Sequence, residues 1–135
     1  MSSIKHLFDP IEFHDLVRDS IECVLDRRNK ECRVKNNQSL HRTLVSRAYF
    51  SVFLRLREIF YPNLKDILGP EIHRQLIDRL RSEGYNDVAD KLHKLRRMRN
   101  RADYDLDIFI DRVHVDYVFK IAQELHTKID AGEIT

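Results

Sequence analysis

Between residues 40 and 60, apolar side chains recur at every fourth position: Leu44, Ala48, Val52, Leu56 and Phe60. Val45, Tyr49, Phe53 and Ile59 widen that stripe. In an α-helix, residues four apart stack on one face, whereas a strand sends alternate residues to opposite faces. This spacing therefore commits the segment to helix. So broad an apolar face must be buried against other elements, so the fold has to be built around it. Pro62-Asn63 ends the segment, and Asn37 or Ser39 stands where its cap is needed.

The rest of the chain supplies the elements to cover it. A first helix is expected from Pro10 to about Asn29. Asp9 is its cap, Pro10 suits its first position and Glu12 completes a capping box. Ile11, Leu16, Ile21, Val24 and Leu25 face inward, with Phe13, Val17 and Cys23 beside them. Arg27-Arg28-Asn29-Lys30 places cations at its negative end. Residues 30–38 read as a polar loop, and residues 61–70 as a loop with a short turn at Leu64–Leu68, closed by Gly69-Pro70.

A third helix spans Glu71 to Ser82, with Ile72, Leu76, Ile77 and Leu80 inward and Gly84 as its stop. A fourth follows Asn86 as cap, with Asp87 in its first turn. A fifth is expected from Asp107 to about Ala131, on a stripe of Ile110, Val113, Tyr117, Ile121, Leu125 and Ile129. Only three glycines and three prolines occur in 135 residues, which leaves little turn material for a β fold. The expectation is all-α: one domain over residues 1–135, an antiparallel bundle of four long helices and a shorter one.

Several function classes drop out. No apolar run approaches the ~20 residues of a membrane span. Met1 to His6 has no signal-peptide pattern. Cys23 and Cys32 make neither a metal-ligand set nor a disulfide framework, and read as reduced thiols of a cytoplasmic protein, with Cys23 in the core. The seven histidines (His6, His14, His41, His73, His93, His114, His126) show no H-x3-H or H-E-x-x-H spacing, so no metal site is expected. No glycine-rich phosphate loop is present, and no cofactor is expected.

The net charge of +2 conceals an asymmetry. Residues 91–101 hold Lys91, Lys94, Arg96, Arg97, Arg99 and Arg101 with no acid, leaving 18 basic against 22 acidic residues elsewhere. A mildly acidic chain with one basic segment points to a local polyanion contact. Within that segment Arg99 sits on the apolar stripe of Val88, Leu92, Leu95 and Ala102, with Met98 beside it. A guanidinium there must pair with a carboxylate, face a cleft or meet a partner chain. Asp103, four residues on, is within reach as a structural tie. Arg96, Asn100 and Asp103 share the adjoining flank, where they can hold a phosphate. Lys94, Arg97 and Arg101 face further round, as a solvated face or a nucleic-acid track.

The segment Arg96-Arg97-Met98-Arg99-Asn100-Arg101-Ala102-Asp103-Tyr104-Asp105 resembles the penultimate helix of the HEPN superfamily, in particular small prokaryotic members ending in R-x-x-A-D-Y-D. Ser46-Arg47-Ala48-Tyr49-Phe50-Ser51-Val52-Phe53 is similar to their S-x-A-Y-Y-x-x-F signature, and the resemblance covers roughly residues 40–130. It implies an all-helical domain that commonly forms homodimers. Many members are metal-independent endoribonuclease toxins of toxin–antitoxin or defence systems, with an R-x4-6-H motif in a cleft at the dimer interface.

On that basis Arg99, Asn100, Asp103 and Tyr104 are the candidate catalytic group, and Arg96, Arg97, Arg101 and Lys94 the candidate RNA contacts. The motif's histidine would fall at position 104, where this chain has Tyr104. A tyrosine, which ordinarily titrates near ~10, is a poor base at neutral pH. His41 or His114, from a neighbouring helix or chain, is a candidate for the missing imidazole. A second branch pairs with a minimal nucleotidyltransferase antitoxin through R-x4-H-x-Y. Here Leu106 takes that tyrosine's place in the Arg99 register, and Ala102 the histidine's place in the Arg97 register. Three readings follow: an RNA-cleaving HEPN protein, a non-catalytic HEPN binding or assembly module, and a bundle whose arginines are structural ties.

Overall fold

The computed structural model describes residues 7–26, 34–63 and 69–135. All regular structure among them is helical. Helix α1 spans Ile11–Ser20 and widens into a π-helical turn over Ile21–Leu25; α2 spans Gln38–Phe60, α3 Glu71–Ser82, α4 Asn86–Tyr104 and α5 Arg112–Asp130. The expected Arg27–Lys30 terminus, the turn at Leu64–Leu68, Met1–His6 and Cys32 lie outside the described residues.

Helix α2 is the hub, packing against all four of the others, while α4 also meets α3 and α5. Its period-four stripe is buried from Leu44 to Phe60, with Val45, Tyr49 and Phe53 beside it. Asn37 caps it, its side chain accepting the Leu40 N–H at 3.0 Å. Ile72, Leu76, Ile77 and Leu80 of α3 are all buried. Gly84, at φ +88°, ends that helix in the left-handed conformation. No helix among the described residues is long and apolar enough to cross a membrane.

Five local expectations are corrected. In α1 the buried positions are His14 and Val17, while Leu16 is exposed. Asp9 accepts the Ile11 N–H at 3.0 Å, but no capping box forms at the α1 start. At α4, Tyr85 takes the cap position and Asn86 is the first helical residue. Cys23, expected as a reduced thiol, is disulfide-bonded.

The fifth correction is α5, which starts at Arg112 rather than Asp107. Asp111 is its cap: its carboxylate accepts the His114 N–H while the His114 ring accepts the Asp111 N–H, both at 3.2 Å. The preceding strap, residues 105–110, is tied to the start of α2 instead. The Gln38 side chain both donates to and accepts from the Ile110 main chain. The inward stripe of α5 is then Val115, Val118, Ile121, Ala122 and Leu125. Val113, at 72% exposure, and Tyr117 face solvent, continuing a row of exposed apolar residues from Tyr104 through Leu106 and Phe109.

Where α1, α2 and α5 meet, two histidines are fully enclosed. The His14 and His126 rings lie 4.4 Å apart, with His14 stacked on Phe119 at 4.8 Å. The Ser51 hydroxyl donates to Ala48 O, so it accepts from His126 Nε2 at 2.9 Å. Arg55 donates to His126 Nδ1 at 2.9 Å and pairs with Asp130 at 2.6 Å. Burial, then His14 and Arg55, push His126 down to about 3. His14, bonded to Gln123 at 2.8 Å, is likewise lowered, chiefly by burial. Both rings are therefore neutral at physiological pH and serve packing rather than proton transfer.

Candidate functional site

Helix α4 presents Arg96, Arg99 and Asp103 to the α2 face that carries Ser46, Tyr49, Phe50 and Phe53. The expected tie is formed: Arg99 Nε lies 2.8 Å from Asp103 Oδ2, and the Arg99 side chain is 16% exposed. That contact lacks hydrogen-bond alignment, however, and leaves the buried Nε–H without an acceptor. The same carboxylate oxygen accepts from the Ser46 hydroxyl at 3.2 Å. Arg99 also donates to Asn100 Oδ1 at 3.0 Å. Its guanidinium rests over two rings, Phe50 at 4.9 Å and Tyr104 at 5.4 Å. Arg99, Asn100, Asp103 and Tyr104 are thus brought together, with Tyr104 71% exposed at the rim.

The cationic and aromatic character extends along α2. Arg47 lies over Phe13 and Phe50, at 4.9 and 5.3 Å. Arg57 lies over Phe53 at 5.8 Å, its Nε–H also buried without an acceptor, and burial lowers its affinity for its proton. Among the described residues no carboxylate reaches Arg47, Arg57 or Arg96 within ion-pair distance. Three guanidiniums on aromatic surfaces, with Arg96 near them and, among the described residues, Asp103 as their one ion-pair partner, form a surface with anion capacity to spare.

On the α3 side the site holds a residue that sequence reasoning did not connect to it. His73, in the first turn of α3, hydrogen-bonds through Nδ1 to the buried Tyr49 hydroxyl. Its ring stacks on Phe53 at 4.3 Å and stands edge-on to Phe50 at 6.4 Å. Burial lowers His73 to about 4, helped by the fields of Arg96, Arg99 and Arg57. Burial also raises the Tyr49 phenol well above its usual range, with Arg96 and Arg99 opposing. The pair is a protonated phenol against a neutral imidazole across the physiological range.

Arg42 fixes the end of α4. Its guanidinium donates to Ala102 O at 3.1 Å, Asp105 O at 2.8 Å and Ile108 O. It therefore satisfies helix-end carbonyls that would otherwise lack donors, and it sets where Asp103 and Tyr104 stand. A polar cleft of about 260 Å³, lined by Arg42, Ser46, Arg47 and Asp103 among others, opens beside it. A larger groove of about 790 Å³, between residues 7–10, α2 and Ile129, is mostly apolar and holds none of the α4 residues. Size favours the groove; chemistry favours the α2–α3–α4 face.

The other candidates fall elsewhere. Lys94, Arg97 and Arg101 are exposed on the outer face of α4 and do not line the cleft. Immediately beyond them the charge reverses, with Asp103, Asp105, Asp107 and Asp111 and no base between. Neither suggested histidine reaches Arg99 within the chain. His41 is engaged at both ring nitrogens, by Ile110 O at 2.9 Å and Asn36 at 2.7 Å, and His114 serves the α5 cap.

No family model matches the chain, and no solved structure matches it. It is similar to an uncharacterized protein of Methanocaldococcus jannaschii, with 32% identity over 93 residues covering 55% of this chain and 52% of that one. The chain thus spans about half the length of the curated relative it matches.

Proposed function

We propose that this protein is a HEPN-type RNA-interacting homodimer, acting as a metal-independent endoribonuclease in a toxin–antitoxin or defence setting. The observation that carries this reading is the set of guanidiniums without full carboxylate partners, laid over aromatic rings around Arg99, Asn100, Asp103 and Tyr104. Phosphates take fixed N–H donors, and unstacked bases take aromatic faces at ~1–3 kcal/mol each. The Arg99–Asp103 contact does not conflict with this role: it occupies one carboxylate oxygen and leaves most of the five guanidinium donors available.

A second reading, a non-catalytic module that binds a minimal nucleotidyltransferase or another protein, is favoured by a different observation. The exposed apolar row Leu106, Phe109, Val113 and Tyr117 borders the site and is suited to a protein surface. An RNA cleavage assay in EDTA, comparing wild type with Arg99→Ala and Tyr104→Phe, separates the two. The nuclease reading expects cleavage by wild type, none by Arg99→Ala, and an unchanged circular dichroism spectrum. Full activity in Arg99→Ala removes the site. No cleavage of several RNAs by wild type, with co-purification of a nucleotidyltransferase, favours the binding module.

A further inference from the structure

The Tyr49–His73 pair uses only one of the imidazole's two ring nitrogens. His73 is half-buried, held by one hydrogen bond and stacked on Phe53, so its other ring nitrogen is left to meet a ligand. Nδ1 is bonded to Tyr49, while Nε2 has no hydrogen-bond partner among the described residues and is not fully buried. His73 and Arg99 pack against the same ring, Phe50. We propose that Tyr49 and His73 form a fixed donor relay, in which the Tyr49 O–H binds His73 Nδ1 so that His73 Nε2–H donates to a phosphate oxygen held by Arg96 and Arg99. This proposal rests on the RNA reading above and names a phosphate-contacting group for it.

The hydrogen-bond geometry favours the donor form. The Tyr49 hydroxyl is buried and has His73 Nδ1 as its hydrogen-bond partner. Were Nδ1 to carry the proton, that hydroxyl would be left without an acceptor, which proteins avoid. With Nδ1 accepting, the proton of a neutral ring lies on Nε2.

The charged neighbours reinforce neutrality. Arg57 on α2, Arg96 and Arg99 on α4, and the positive end of α3 all oppose a second proton; Asp103 is the acid of the cluster and is engaged by Arg99. A neutral ring with a fixed N–H contributes directional hydrogen bonding at every physiological pH, without acting as a base. This also accounts for a histidine in the site where the resemblance expects one at the position of Tyr104: the imidazole comes from α3, and its role is donation rather than proton abstraction.

The test uses the whole protein with a 2′-O-methyl RNA oligonucleotide, which cannot be cleaved through its 2′ position, and inorganic phosphate as a second ligand. Nitrogen-15 NMR of the imidazoles should show His73 as the Nε2–H tautomer between pH 5 and 8, with the Nε2 signal moved by either ligand. Fluorescence anisotropy should show His73→Ala binding the oligonucleotide roughly tenfold more weakly, with His73→Gln, which keeps a donor near the Nε2 position, recovering much of the loss. Tyr49→Phe, which keeps the ring packing, should release the tautomer and weaken binding in the same direction, so the result does not hang on one variant folding.

An Nδ1–H tautomer, or equal binding by wild type and His73→Ala while Arg99→Ala weakens it, overturns the relay and leaves the RNA reading intact. A phosphate-induced shift of Nε2 without oligonucleotide binding overturns the RNA reading and leaves the donor in place. No response to either ligand removes both.

Discussion

Lowering the pH from 7 to 5 should destabilise this fold through its enclosed histidines, by an amount that follows from their geometry. His126 is 1% exposed, donates through Nε2 to Ser51 and accepts at Nδ1 from Arg55. A second proton would have to enter at Nδ1, against an arginine N–H. The folded ring therefore stays neutral down to about 3, whereas in the unfolded chain it titrates near ~6.5.

Below ~6.5 the unfolded state binds the proton and the folded state does not, so stability falls with falling pH through the window between the two values. Between pH 7 and 5 the unfolded state gains about 2 kcal/mol from this one group, and the result is insensitive to the folded value as long as that lies well below 5. His14 and His73, both lowered, act in the same direction. Against a total of ~5–15 kcal/mol this is a large fraction. Urea unfolding at pH 7, 6 and 5 measures it, and His126→Gln should flatten the dependence by about 2 kcal/mol whatever its own stability. A His126→Gln variant whose pH dependence matches wild type within ~0.5 kcal/mol would refute the neutral-histidine account.

Other perturbations reach the site and the surface beside it. Arg42→Met strips donors from Ala102 O, Asp105 O and Ile108 O, and should cost roughly 2–3 kcal/mol by thermal or urea unfolding while loosening Tyr104. Asp103→Asn removes the carboxylate that competes for Arg99; it should cost no more than ~1 kcal/mol yet tighten oligonucleotide binding, whereas an arginine that is only a tie predicts no tightening. Val113→Asp, at an exposed apolar position, should leave monomer stability within ~0.5 kcal/mol of wild type and shift a dimer to monomer by light scattering.

What was legible from the linear chain follows from how local each signal is. The α2 stripe, the Asn37 cap and the inward face of α3 each depend on residues within a few turns, and all three are found as expected. Arg96, Arg99, Asn100 and Asp103 lie on one helix, so periodicity put them side by side, whereas Tyr104 joined them only through the family resemblance. The start of α5 was not legible because Asp107 and Asp111 are both good caps; Gln38 and Arg42, some 70 residues earlier, hold the strap that decides between them. Val113 with Tyr117 and Val115 with Val118 offer two overlapping apolar stripes, and only packing on α2 selects the second. His73, Arg57 and Arg47 join the site through tertiary contacts. The one linear hint was that Tyr49-Phe50 falls inside the second motif.

The charge reversal at the end of α4 gives this surface a direction. A polyanion drawn onto Lys94, Arg97 and Arg101 would meet the aspartates just past Ala102, which oppose its continuing along the helix axis. A ligand steered this way would have a short footprint of a few phosphates, so its affinity would fall only gently with salt, with a logarithmic slope of about −0.7 for each phosphate neutralised on a single strand.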